Sequence, residues 1–415
     1  MLGLAWLLSF DRKKITWRPV IWGVLLQVAL AAVVLTPAAQ ELFFNSIDAG
    51  VHRLLSFSEA GSTFVFQSIS PHRVLDPSGE KTDVIVGQVS PPVKTFAFWV
   101  LPTIVFFSSL MSVLYHAGVM QRIVYFLAWI MQRTAKISGA ESLSTAANIF
   151  LGQTEAPLTV RPYVAQMTNS ELFLVMVGGF ATVAGGVMAA YVSFLKDIPG
   201  IAGHLVTASI IGAPASIAVS KIVLPETEVP KTQGKLDLEV KQIHGNVLEA
   251  AADGATEGMK LFLNVIAMLL AFVALVAMCD YFLSLIPTGG EALSMARIFG
   301  WVFSPIAFAM GIPWGEAQIV GRLLGEKLVL TEFIAYIHLG EVVRSETVTI
   351  SHRSAVIASY ALCGFANFAS IGIQLGGIGA MAPDRMRDLS KMALRAMLAG
   401  ALANCMMGNV VGLFL

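Results

Sequence analysis

The chain has 415 residues, of which 56% are hydrophobic and only 13% charged, against roughly 25% charged in an ordinary soluble domain. Such a chain cannot cover itself with polar surface, which excludes the usual soluble classes. Its 27 basic and 27 acidic residues cancel, so no charge excess points to a nucleic-acid partner. Cys279, Cys363 and Cys405 sit inside apolar segments rather than at disulfide or zinc spacing, and the seven histidines show no HExxH or paired metal spacing.

About 20 apolar residues cross the hydrocarbon layer as a helix. Residues 1–10 are too short for that and lack the charge order and cleavage site of a signal peptide, so a partial span is expected there. Spans are predicted near 20–39, 96–119, 171–195, 200–224, 260–286, 354–382 and 391–415. The first of these has only Gln27 and Thr36 as polar interruptions. Arg12, Lys13, Lys14 and Arg18 place the first connection in the cytoplasm, as Arg385, Arg387, Lys391 and Arg395 do the last. Residues 40–94 have few basic side chains and suit the outer side, and 121–135 reads as an amphipathic helix lying in the interface.

Two further apolar segments, 141–168 and 301–337, are broken near their middles by Pro, Gly, Gln and Glu. A broken segment that enters and leaves on one side is a re-entrant hairpin, tolerated at membrane depth only where protein or a water-filled cavity satisfies the backbone. Counting crossings opens the first hairpin inward and the second outward. Each is followed by two spans, so an inverted repeat is expected, the arrangement that points to alternating access with a site between the hairpins. The predicted fold is an all-α integral membrane protein with about eight transmembrane helices and two oppositely oriented re-entrant hairpins. Its expected division is an N-terminal scaffold at 1–135, a first repeat at 136–224, a cytoplasmic linker and short helix at 225–258, a scaffold span at 259–300 and a second repeat at 301–415.

Polar residues inside these segments mark the chemistry. In the first hairpin, Gln153, Thr154 and Glu155 are consecutive, whereas neighbours on a regular helix lie about 100° apart. A carboxylate at the bilayer centre costs about 2.5–3.5 kcal/mol. The backbone is therefore expected to turn at this point, between Gly152 and Pro157. In the second hairpin, Glu332 has no basic residue within four positions, so a local ion pair does not explain it. Glu316 reads either as a second site carboxylate or as a helix-start residue. Asn367 and Ser370, three apart beside Phe365, read either as interhelical hydrogen-bonding residues or as site residues.

The stretches GQTEAPL (152–158), GEKLVLTEFIAY (325–336) and ALCGFANFASIG (361–372) resemble the three signature stretches of the concentrative nucleoside transporter family, in that order, and the likeness runs from about residue 96 onward. Thr331 departs from the pattern, standing where the family usually has Asn. The resemblance implies a sodium-coupled nucleoside symporter of uridine-like substrates, with no enzymatic activity, in the inner (plasma) membrane and assembled as a homotrimer; the alternative is proton coupling.

Carried over by position, the resemblance implies that Gln153, Thr154 and Glu155 meet the nucleobase, that Glu332, Asn367 and Ser370 hold the ribose, and that Phe365 and Val187 pack against the ligand. A ribose diol offers two O–H donors, which one carboxylate can accept together. The implied sodium ion falls on the side chains of Asn148 and Thr182 and the carbonyls of Leu151 and Val183. From the residues alone, the Thr182 hydroxyl could equally bond back to its own helix. One sodium ion per substrate suffices energetically: about 2.3 kcal/mol per charge at 100 mV and about 1.4 kcal/mol from a tenfold gradient sustain accumulation of several hundredfold.

Overall fold

The computed structural model describes residues 1–36, 43–66, 71–75, 81–85, 96–234, 245–286, 292–347 and 350–415. Residues 40–42, 67–70, 76–80 and 86–94 of the expected outer loop and 235–244 of the linker lie outside these. The described residues are helical apart from turns and one antiparallel hairpin, β1 (Pro71–Leu75) with β2 (Lys81–Ile85), in which Pro71 faces Ile85.

After the short α1 (Leu2–Leu7) come α2 (Trp17–Val34), α3 (Asn45–Phe66), α4 (Pro102–His116) and α5 (Val119–Ala135). Gly118 lies between α4 and α5 at φ 76, and the two helices meet at 77°. Along α5 the buried residues Met120, Val124, Ala128, Met131 and Ala135 recur at helical spacing, while Phe126 and Trp129 are exposed.

Two blocks of the same element order follow. The first is a hairpin of α6 (Gly139–Ala147) and α7 (Arg161–Val164), a helix broken into α8 (Asn169–Ala181) and α9 (Gly185–Phe194), and the long α10 (Ile201–Val223). The second is a hairpin of α13 (Trp314–Val329) and α14 (Glu332–Arg344), a helix broken into α15 (His352–Leu362) and α16 (Phe368–Met381), and the long α17 (Met386–Gly412). Between the blocks stand α11 (Val247–Ser284), packed on α4, and α12 (Met295–Ala309), folded back on α13 at 117°. The short helix expected before residue 258 and the span expected after it are thus one continuous helix of 38 residues. The second hairpin starts at Trp314, because Gly311 (φ 88) and Pro313 end α12 and open α13.

By length and composition, five described helices can cross a membrane, or seven if each bent pair counts as one span. The expected span 354–382 falls short because it is broken: α15 stops at Leu362 and α16 begins only at Phe368.

Paired capping boxes anchor the first block. Ser138 with Glu141 opens α6, and Thr168 with Glu171 opens α8, each side chain satisfying the other residue's backbone N–H. The Ser138 hydroxyl also donates to Glu171 (2.6 Å), and buried Lys221 of α10 pairs with Glu141 and donates to Ser170 at 2.8 Å. One buried lysine thereby ties the hairpin to both helices it packs against. Behind this knot α8, α10 and α17 form the core, where α10 is lined by small residues that let the backbones approach closely.

Candidate functional site

Both breaks expose backbone groups that a membrane interior cannot solvate. At the first break, Thr182 turns extended (φ −124, ψ 171) and its hydroxyl donates to Gly178 O at 2.9 Å, while Val183 O accepts weakly from Ser209 at 3.5 Å. Ala181 O accepts from the Asn404 side chain of α17 at 2.7 Å. At the second break, Gly364 has φ 142, and a Cβ there would lie 2.7 Å from both Asn404 and Phe180 O, so only glycine fits. Ala361 O accepts from the buried ammonium of Lys327 at 3.0 Å. The same ammonium donates to Asn404 Oδ1 at 2.5 Å, so Asn404 joins the two breaks.

The tips of the hairpins reach these breaks. In the first hairpin α6 ends at Ala147, the chain turns through Asn148–Glu155, and Phe150 O accepts from Gly185 N at the start of α9 (3.1 Å). Asn148 is fully buried, yet neither its Oδ1 nor its Nδ2 has a hydrogen-bond partner among the described residues. A buried unpaired amide costs about 1–3 kcal/mol. It abuts Gly178, where an added Cβ would lie 3.1 Å from Nδ2, and Gly178 is the residue whose carbonyl holds the Thr182 hydroxyl. The fold thus brings Asn148 and Thr182 to one turn of backbone, with Val183 directly following and Leu151 on the hairpin tip. Neutral oxygens in this setting suit a hard monovalent cation.

A second set of polar side chains runs from one hairpin to the other. The Gln153 amide donates to Ser370 Oγ (3.1 Å), whose backbone N–H donates to Asn367 Oδ1 (2.8 Å). Asn367 Nδ2 donates to Glu332 Oε2 (2.8 Å), and Tyr191 OH donates to Glu332 Oε1 at 2.8 Å. Asn367 is not within a continuous helix, as the sequence reading had it. It is the N-cap of α16, and its proximity to Ser370 comes from capping. Glu332 is the first residue of α14, which places its carboxylate at the positive end of the helix.

Of the other expected site residues, Val187 is buried one turn before Tyr191, Thr154 packs against α16 at Gly377, and Phe365 is half-buried in the second break. Glu155 stands apart: its side chain is exposed, and its carboxylate accepts from Gly152 N at the hairpin turn. Glu316 accepts from Ser351 N (3.2 Å) and Oγ (2.9 Å) in the first turn of α13, which is the helix-start reading. Thr331, the departure from the family pattern, caps α14 without a side-chain hydrogen bond, and its buried Oγ1 is unpartnered among the described residues.

Sequence reasoning missed Tyr191, Gln374, Lys327 and Asn404. A signal existed for Gln374, which lies four after Ser370 on the face that also carries Asn367. Nothing in the sequence pairs Tyr191 with Glu332, 141 residues away.

Comparison with known proteins identifies the family. The family model described as the Na+ dependent nucleoside transporter C-terminus matches residues 204–412, the corresponding N-terminal model matches 1–69, and a nucleoside recognition (Gate) model matches 97–197. An uncharacterized transporter of Haemophilus influenzae is 40% identical, covering 100% of this chain and 95% of that protein. Sodium/nucleoside cotransporter 1 of Sus scrofa is 41% identical over 98% of this chain, which spans 61% of that longer protein. The solved structure of CNTnw in an inward-facing, substrate-bound state is 41% identical with a TM-score of 0.88, covering 100% of this chain and 96% of that one. An outward-facing CNTnw variant matches with a TM-score of 0.89 at 39% identity, covering 100% of this chain and 95% of that one. These relatives are transporters rather than enzymes, and sodium is the coupling ion their family is described by. The chain is therefore a multi-pass membrane transporter and a member of the Na+-dependent nucleoside transporter family.

Proposed function

We propose that the protein carries uridine-like nucleosides into the cell by alternating access, each with a sodium ion, as a homotrimer in the inner membrane. The observation that carries this reading is the polar line Gln153, Ser370, Asn367, Glu332 beside the unpartnered Asn148, both at the meeting of hairpin tips and helix breaks. Glu332 takes the ribose diol, displacing the protein donors it now accepts from. Asn367 and Ser370 complete the ribose contacts, Gln153 and Thr154 face the base, and Phe365 and Val187 close on it. Glu155 joins the base only if the turn at Gly152 rearranges. Asn148, Thr182 and the carbonyls of Leu151 and Val183 hold the ion.

The two sites share the first hairpin: Asn148 and Gln153 are five residues apart on one tip. Filling the ion site therefore sets the turn that presents the base contacts, which is a physical basis for coupling. The repeated order of hairpin, broken helix and long helix supports the inverted repeat that alternating access needs.

The test is uptake of labelled uridine into proteoliposomes at equal pH on both sides, with and without an inward sodium gradient. Accumulation only with sodium is expected. Accumulation that ignores sodium and follows a pH gradient would overturn the ion assignment, and no uptake of any nucleoside would overturn the substrate class.

A further inference from the structure

Gln374 lies on α16 one turn beyond Ser370, fully buried, and its Nε2 makes two hydrogen bonds: to Gln153 Oε1 at 3.1 Å and to Met176 O of α8 at 3.1 Å. A side-chain amide can reverse its oxygen and nitrogen and keep its shape, so the partners alone decide which way it points. Here one partner cannot adapt. Met176 O is a backbone carbonyl, an acceptor in a fixed position, and turning Gln374 round would set its oxygen against that carbonyl. The Gln374 nitrogen must therefore face Met176, and the same nitrogen meets Gln153. It follows that Gln153 shows its oxygen to Gln374 and its NH2 to the ligand side, where one proton goes to Ser370 Oγ at 3.1 Å. Ser370 does not oppose this, because a hydroxyl accepts as readily as it donates.

The packing holds the arrangement closely. A Cβ at Gly179, on the α8 turn that follows Met176, would lie 2.7 Å from Gln374 Nε2 and 2.9 Å from Gln153 Cβ. Any side chain there would push the two amides apart. The Gln374 oxygen, in contrast, is buried and has no partner among the described residues, so its own hydrogen-bonding is not what sets the orientation.

We propose that Gln374 is a positioning residue for substrate selection: by fixing the polarity of the Gln153 amide from the Met176 carbonyl, it makes Gln153 a hydrogen-bond donor to the base and selects 4-oxo pyrimidine and 6-oxo purine nucleosides. This rests on the nucleoside reading above. With the ribose at Glu332 and Asn367, the base extends along α16 past Ser370 towards Gln153. The edge far from the sugar then reaches Gln153, and there the common bases exchange a carbonyl for an amine. A donor fixed at that point favours uridine over cytidine and inosine over adenosine, because the disfavoured base would bring a second donor against it.

The experiment measures sodium-driven uptake of uridine, cytidine, inosine and adenosine by the wild type, Gln374→Glu and Gln374→Leu, with the sodium half-activation of each. The wild type should prefer the oxo nucleoside of each pair. Gln374→Glu, its single proton held by Met176 O, presents an acceptor oxygen to Gln153, so Gln153 turns its NH2 towards it and offers oxygen to the base; the uridine-to-cytidine ratio should fall by about tenfold, the effect of one hydrogen bond of ~1.4 kcal/mol. Gln374→Leu frees the amide and should bring both ratios towards one with sodium half-activation unchanged. Uptake that drops equally for all four nucleosides, or ratios unchanged in both variants while the wild type transports, would overturn the inference and leave the transporter reading intact. A wild type that prefers cytidine and adenosine would overturn it as well. No uptake of any nucleoside by the wild type would instead remove the reading on which it rests.

Discussion

The two helix breaks are built alike and finished differently. At the second, between α15 and α16, the exposed carbonyl of Ala361 and the Asn404 amide oxygen are both satisfied by the protein's own cation, the Lys327 ammonium. At the first, between α8 and α9, no lysine among the described residues enters, and the Asn148 amide abuts the helix before the break with neither of its polar atoms partnered among those residues. The second break thus carries a cation of its own at Ala361 O, while the first retains polar capacity in Asn148. A fold can present nearly the same backbone opening twice, filling one copy with its own ammonium and leaving an unpaired amide at the other, the distinction lying in a single long basic side chain.

Removing Lys327 gives the largest effect expected of this comparison. Lys327→Met should leave the Ala361 carbonyl and the Asn404 oxygen unsatisfied, at about 1–3 kcal/mol each, and lower the melting temperature equally with and without sodium. A variant that melts like the wild type in sodium-free buffer but changes its sodium activation would show that the lysine takes part in ion coupling, and the contrast between the breaks would fail.

Asn148→Ala should act in the opposite way. The side-chain amide makes no hydrogen bond to the described residues, so sodium-free stability should not fall, while the sodium concentration for half-maximal uptake should rise about tenfold or more, each decade being about 1.4 kcal/mol. Loss of stability without a change in sodium dependence would make Asn148 a structural residue.

Thr182→Val is the mildest test. Its hydroxyl already donates to Gly178 O at 2.9 Å, so the change removes that bond, worth about 0.5–1.5 kcal/mol, and one weak ion ligand. Sodium half-activation should rise a few fold and Thr182→Ser should restore it. A shift as large as that of Asn148→Ala would mean that the hydroxyl leaves Gly178 for the ion.

Much of the protein is legible without coordinates because the membrane imposes strict chemistry. Uninterrupted apolar runs have to be buried or spanning helices, so α2, α10 and α17 fall where hydropathy places them. Consecutive polar residues in an apolar setting have to mark a turn, and the chain does turn at Gln153–Glu155. The break before Asn367 was not legible, since Cys363–Ala366 is as apolar as a helix interior and only Gly364, at φ 142, needs a backbone that other residues avoid. Neither was the length of α11, because the polar and apolar parts of that helix look like separate elements when composition alone is read.

What the sequence by itself determined is therefore local: which segments are apolar, where polarity interrupts them, and which residue types are available for a nucleoside and a cation. Only the tertiary structure decided which of those residues meet. Tyr191 reaches Glu332 across 141 positions, Gln374 reaches Gln153 across 221, and Lys327 reaches Asn404 across 77. The reason is physical. A buried polar group must be satisfied, but within a helix the backbone is already satisfied and neighbouring side chains diverge. The partner therefore has to come from another helix, and its identity is set by how the helices cross.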